Sequence, residues 1–80
     1  MIKVIVHILN EEPFIAEIEE LPSPTTTNLQ FQKPRFRDGK TISYLERDIT
    51  MVIWPMNRIN FIEVLPSDEQ GELDTYLGEE

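Results

Sequence analysis

The chain has 80 residues, 15 of them acidic against 7 basic, and no cysteine. That length allows one domain with one small core, and 40% hydrophobic with 28% charged residues is a globular balance rather than that of a disordered or membrane chain. The missing cysteines exclude disulfides and thiolate metal sites, and no apolar run approaches the roughly 20 residues of a membrane helix.

In the first segment Ile2, Val4, Val6 and Ile8 alternate with Lys3, Ile5, His7 and Leu9, and β-branched residues dominate, so a strand is expected. Ile5 and Leu9 make its second face partly apolar. Asn10-Glu11-Glu12-Pro13 supplies turn chemistry, after which Phe14, Ala16 and Ile18 alternate with Ile15, Glu17 and Glu19. The two strands predict a hairpin. His7, alone among apolar neighbours, reads as a structural residue, and the Glu17 and Glu19 pair as a solvated face.

Leu21 to Thr27 contains Pro22 and Pro24, which remove ladder donors and fix φ, and so predicts a loop. A third strand begins at Asn28, with Leu29 and Phe31 on one face and Gln30 and Gln32 on the other. Beyond Pro34, Arg35-Phe36-Arg37 meets Asp38-Gly39, a strong hairpin signal, with Lys40 to Leu45 as the return strand. Asp48 to Trp54 reads as a strand buried on both faces, because its apolar run is continuous. Pro55 ends it, Met56-Asn57-Arg58 predicts one turn of 3₁₀ helix, and Ile59 to Leu65 predicts the last strand.

These elements predict an all-β fold: a small antiparallel SH3-like barrel of about five strands over residues 1–66, with a protruding β-hairpin and an acidic C-terminal tail at 67–80. So small a core makes self-association a natural way to gain burial. The start, Met1-Ile2-Lys3-Val4, lacks the character of a secretory leader, so a cytoplasmic location is the expectation.

Charge is segregated along the chain. Asp68, Glu69, Glu72, Asp74, Glu79 and Glu80 stand in the tail without a base, whereas Lys33, Arg35, Arg37, Lys40 and Arg47 gather around the Asp38-Gly39 turn. With Phe36 and Tyr44 available to stack on bases, that segment has the ingredients of a single-stranded nucleic-acid site, and the tail could screen it. The bland alternative is a solvated hairpin whose charges protect a sheet edge.

The opening strand pair, the Thr27-Asn28-Leu29 stretch with Phe31, and the closing Val52-Ile53-Trp54-Pro55 with Ile59 and Ile62 together resemble the Sm and Sm-like small β-barrels. The resemblance covers roughly residues 2 to 65. It implies assembly through edge strands, and it puts Asn28 where that family has an Asn that helps hold an RNA base. The chain departs from the pattern where the family's second motif has Arg-Gly: Val52-Ile53-Trp54-Pro55 stands there. The initial helix of the family has no counterpart before Ile2.

The functional expectation is therefore a non-enzymatic interaction or assembly module, homo-oligomeric, with protein partners, no cofactor and no metal. Trp54 and Met56 are its expected assembly residues. The alternative is a single-stranded RNA-binding Sm-like barrel that uses Asn28, Lys33, Arg35, Phe36, Arg37, Lys40, Tyr44 and Arg47.

Overall fold

A computed structural model describes residues 1–66. The chain runs through β1 (Ile2–Ile8), β2 (Phe14–Ile18), β3 (Asn28–Arg35), β4 (Met51–Pro55), a 3₁₀ turn (Met56–Arg58) and β5 (Ile59–Val64). All pairings are antiparallel, and the single sheet has the order β4-β3-β2-β1-β5, curled into a half-barrel. The expected acidic tail lies outside the described residues.

Alternation decides which side chains meet. Val4, Val6 and Ile8 of β1, Phe14, Ala16 and Ile18 of β2, and Leu29 and Phe31 of β3 all point to the concave face and form the core. Burying each of the larger ones contributes about 1.5–3 kcal/mol. Phe14 sits at the centre, edge-on to Phe31 with ring centroids 5.8 Å apart and tilted against Trp54 at 6.0 Å. On the convex face Ile5 and Ile15 stand opposite each other in register and are both buried, with Leu65 packed against them. That small second cluster explains why the first strand is apolar on both sides.

Two bulges allow the sheet to curl. Between Ile15 and Glu17, β2 advances two residues while β3 advances three from Gln32 to Arg35, and Lys33 takes up the mismatch with φ +51°. A non-glycine residue in that region costs about 1–2 kcal/mol, which the surrounding ladder must overcome. Lys33 N–H donates to the Thr50 carbonyl at 2.8 Å, and the Arg35 guanidinium donates to the Lys33 carbonyl at 2.7 Å. The second bulge lies in β5, where Phe61 faces His7 and Ile59 faces Ile8, leaving Asn60 as the extra residue.

Two sequence expectations are corrected. The Asp38-Gly39 turn forms and is exposed, with Phe36 N–H bonded to the Lys40 carbonyl, Asp38 Oδ1 accepting from Lys40 N–H, and Gly39 at φ +86°. Lys40 to Leu45 is nevertheless not a strand. Ile42 is drawn into the core at 1% exposure, and Leu45, Tyr44 and Phe36 pack around it, so residues 36–50 fold inward as an irregular lid instead of extending a ladder. The strand expected over Asp48 to Trp54 begins only at Met51, and it is not buried on both faces: Met51, Ile53 and Pro55 are exposed while Val52 and Trp54 turn inward. It lies at one end of the sheet, where no described residue covers the convex face.

Candidate functional site

The sheet is open between β4 and β5. Among the described residues β4 pairs only with β3 and β5 only with β1, so each carries one unpaired backbone edge.

The hydrogen-bond parity of each edge follows from its ends. Lys33 N–H to the Thr50 carbonyl and Met56 N–H to the Thr27 carbonyl fix the bonded positions of β4 as the even-numbered ones, so Met51, Ile53 and Pro55 direct their backbone groups outward. Pro55 has no N–H to offer, which suits a position on a free edge. On the other side, Leu65 N–H donates to the Lys3 carbonyl, which makes Glu63 and Phe61 the bonded partners of β1 and leaves Ile62 and Val64 facing out.

Both edges carry apolar side chains that nothing among the described residues covers. Ile53 is 58% exposed, Phe61 51%, Val64 50% and Met51 42%. Such uncovered edges are templates for strand addition, and the natural defences against it are sparse here: Pro55 on β4, the Asn60 bulge and Glu63 on β5. Phe61 lies flat against His7, with centroids 4.0 Å apart and planes 15° from parallel, and His7 Nε2 meets Glu63 Oε1 at 2.7 Å. The histidine is thereby occupied as a structural group at the β1–β5 seam.

The residues singled out from sequence do not form one site. Lys33, Arg37, Lys40 and Arg47 are exposed around the lid, but Arg35 is half-buried with Nη1 3.5 Å from Glu17 Oε2, and Lys40 leans toward Asp38 at 4.0 Å. Phe36 and Tyr44 stand edge to face at 6.3 Å, and Tyr44 meets Trp54 in the same way, also at 6.3 Å. Both rings thus support the lid from within. Asn28 opens β3 while the basic cluster begins only at Lys33, five residues and about 17 Å further along the extended strand. Trp54 and Met56 pack against the core rather than along an edge, whereas Met51, Ile53 and Phe61, which do flank the edges, were hidden in apolar runs that resemble core strands.

The Tyr44 hydroxyl donates to the Glu12 carbonyl at 3.4 Å, tying the lid to the β1–β2 turn. Burial, then the negative charges of Glu11 and Glu12, push its pKa from 10.0 up to about 12. A phenol whose folded pKa lies above its unfolded value stabilises the fold fully below pH 10 and loses that contribution as pH rises through 12. Denaturant midpoints should therefore fall between those values in the parent protein and stay flatter in Tyr44→Phe, measured by urea titration at stepped pH.

Among the described residues no helix is long and apolar enough to cross a membrane, and no group of three or more His, Asp or Glu is placed to hold a metal ion.

The chain matches no protein-family model, no curated protein and no solved structure.

Proposed function

We propose that the protein is a non-enzymatic assembly and interaction module: half-barrels join edge to edge, β4 of one copy against β5 of the next, and the assembled surface binds protein partners. The observation that carries this reading is the pair of unpaired edges at opposite ends of one sheet, flanked by exposed Met51 and Ile53 on one side and by Phe61 and Val64 on the other. Joining them would satisfy outward-facing N–H and C=O groups and remove apolar surface from water in the same step. Because the two edges differ, the contact is head-to-tail, and it closes into a ring or continues as a filament according to the rotation per copy. The resemblance to Sm-like barrels, which assemble through edge strands, points the same way.

The nucleic-acid alternative has less support. Its stacking aromatics are committed to the lid, Asn28 stands far from the basic cluster, and the Arg-Gly pair of the Sm-like pattern is missing.

Light scattering tests the proposal. The expected mass is a multiple of the 9.4 kDa chain, falling to the single-chain value in Ile53→Lys and in Phe61→Lys, each of which places a charge beside an edge. A single-chain mass for the parent protein at high micromolar concentration would overturn it.

A further inference from the structure

Between the β1–β2 turn and the 3₁₀ turn lies a cleft of about 330 Å³ lined by Ile8, Leu9, Asn10, Glu11, Trp54 and Arg58. One wall is the β1–β2 turn, where Asn10 takes a left-handed conformation at φ +65°, and the other is the 3₁₀ turn that carries Arg58. Leu9 N–H donates to the Arg58 carbonyl at 3.4 Å, so the two walls are tied through the backbone and the cleft is formed in advance of any ligand. Trp54 is held in place by its ring contacts with Phe14 and Tyr44.

The chemistry of the lining selects an occupant. Leu9, 52% exposed, lines the cleft together with Trp54, giving a surface for one apolar side chain. Glu11, which lines the cleft, and Glu12, next to it in the chain, are exposed on the turn, and neither carboxylate has an ion-pair partner among the described residues. Their field reaches as far as the Tyr44 hydroxyl. Arg58, likewise without an ion-pair partner among the described residues, lines the same cleft, and a guanidinium suits the carbonyls of an extended backbone.

We infer that this cleft binds an extended peptide segment of a protein partner, one that places an apolar side chain on Leu9 and Trp54 and a Lys or Arg against Glu11 and Glu12. The inference supplies a partner chemistry for the interaction half of the proposed function and does not depend on the assembly half. Charge complementarity disfavours the chain's own residues 67–80 as occupant, since they carry six acids and no base.

Trp54 is the only tryptophan in the chain, so its emission reports the cleft directly in the full-length protein. The probe is acetyl-Ala-Leu-Pro-Arg-Ala-amide, with the same peptide carrying Glu for Arg, and Ala for Leu, as controls. A saturable emission shift is expected with the first peptide. Affinity should fall at least about fivefold for either control and for the double variant Glu11→Gln, Glu12→Gln at low salt. Ile53→Lys, which acts on the edge, should leave the titration unchanged, so failure of assembly and failure of the cleft are separable. Equal response to the Arg and Glu peptides, no effect of the double variant, or no saturable shift at millimolar peptide would each overturn the inference. So would an emission that changes on simple dilution of the peptide-free protein and loses that change in Leu9→Lys but keeps it in Ile53→Lys, because a second copy would then occupy the cleft itself.

Discussion

Phe14→Ala is expected to cost about 3–5 kcal/mol, enough to leave much of the chain unfolded at room temperature. Phe14 is 1% exposed, and its ring is the meeting point of β2, β3 and β4 through Phe31 and Trp54. The half-barrel has few alternative contacts with which to refill the space, because among the described residues one side of it is open between β4 and β5. Poor collapse around a deleted ring leaves a cavity, and the cavity adds to the lost transfer energy. Urea unfolding followed by Trp54 emission and by far-ultraviolet circular dichroism reads the loss. Phe14→Leu, which keeps most of the volume, should lie well under half of it. A loss below about 1 kcal/mol for the alanine variant would mean that the concave face is not the core on which the fold depends.

The parts of this architecture that were legible in the sequence are those in which a local rule and the tertiary outcome coincide. In β1 and β2 the period of two survives because both strands lie inside the sheet, where one face meets the main core and the other carries only the small Ile5–Ile15 cluster among more polar positions. Pro55 marked the end of β4, and three residues left room only for the 3₁₀ turn. The lid was not legible. Asp38-Gly39 specifies the four residues of a turn, whereas the fate of Lys40 to Leu45 is set by the vacancy that Ile42 fills, which is a property of the finished barrel. β4 was misread for a related reason: Met51-Val52-Ile53-Trp54 has the same apolar content whether a second layer covers it or not, and only the sheet order reveals that nothing among the described residues does. The same ignorance of order hid the candidate edges. Charge alone drew attention to the Lys33 to Arg47 segment, while pairing removed Arg35 from it and the left-handed Lys33 gave no sequence signal at all.

Ile42→Ala should destabilise the protein by about 2–5 kcal/mol, an effect normally found in the centre of a strand, although residue 42 has no regular secondary structure. Ile42 is 1% exposed within the same cluster as Val6, Phe14 and Phe31, so the lid contributes a side chain to the core instead of resting on its surface. Ile49 supplies the control. It lies in the same lid at 40% exposure, and Ile49→Ala should stay within about 0.5 kcal/mol of the parent protein. If the lid and the sheet unfold as one unit, the denaturant slope is unchanged in both variants and only the midpoint moves in Ile42→Ala. A reduced slope with a small shift in midpoint would instead describe a lid that opens by itself, with the sheet intact beneath it. The distinction bears on function, because Tyr44 links the lid to Trp54 and to the Glu12 carbonyl. A lid locked by Ile42 holds the indole and the acidic turn in one geometry, which is the condition under which the cleft beside Leu9 and Arg58 exists before a peptide arrives.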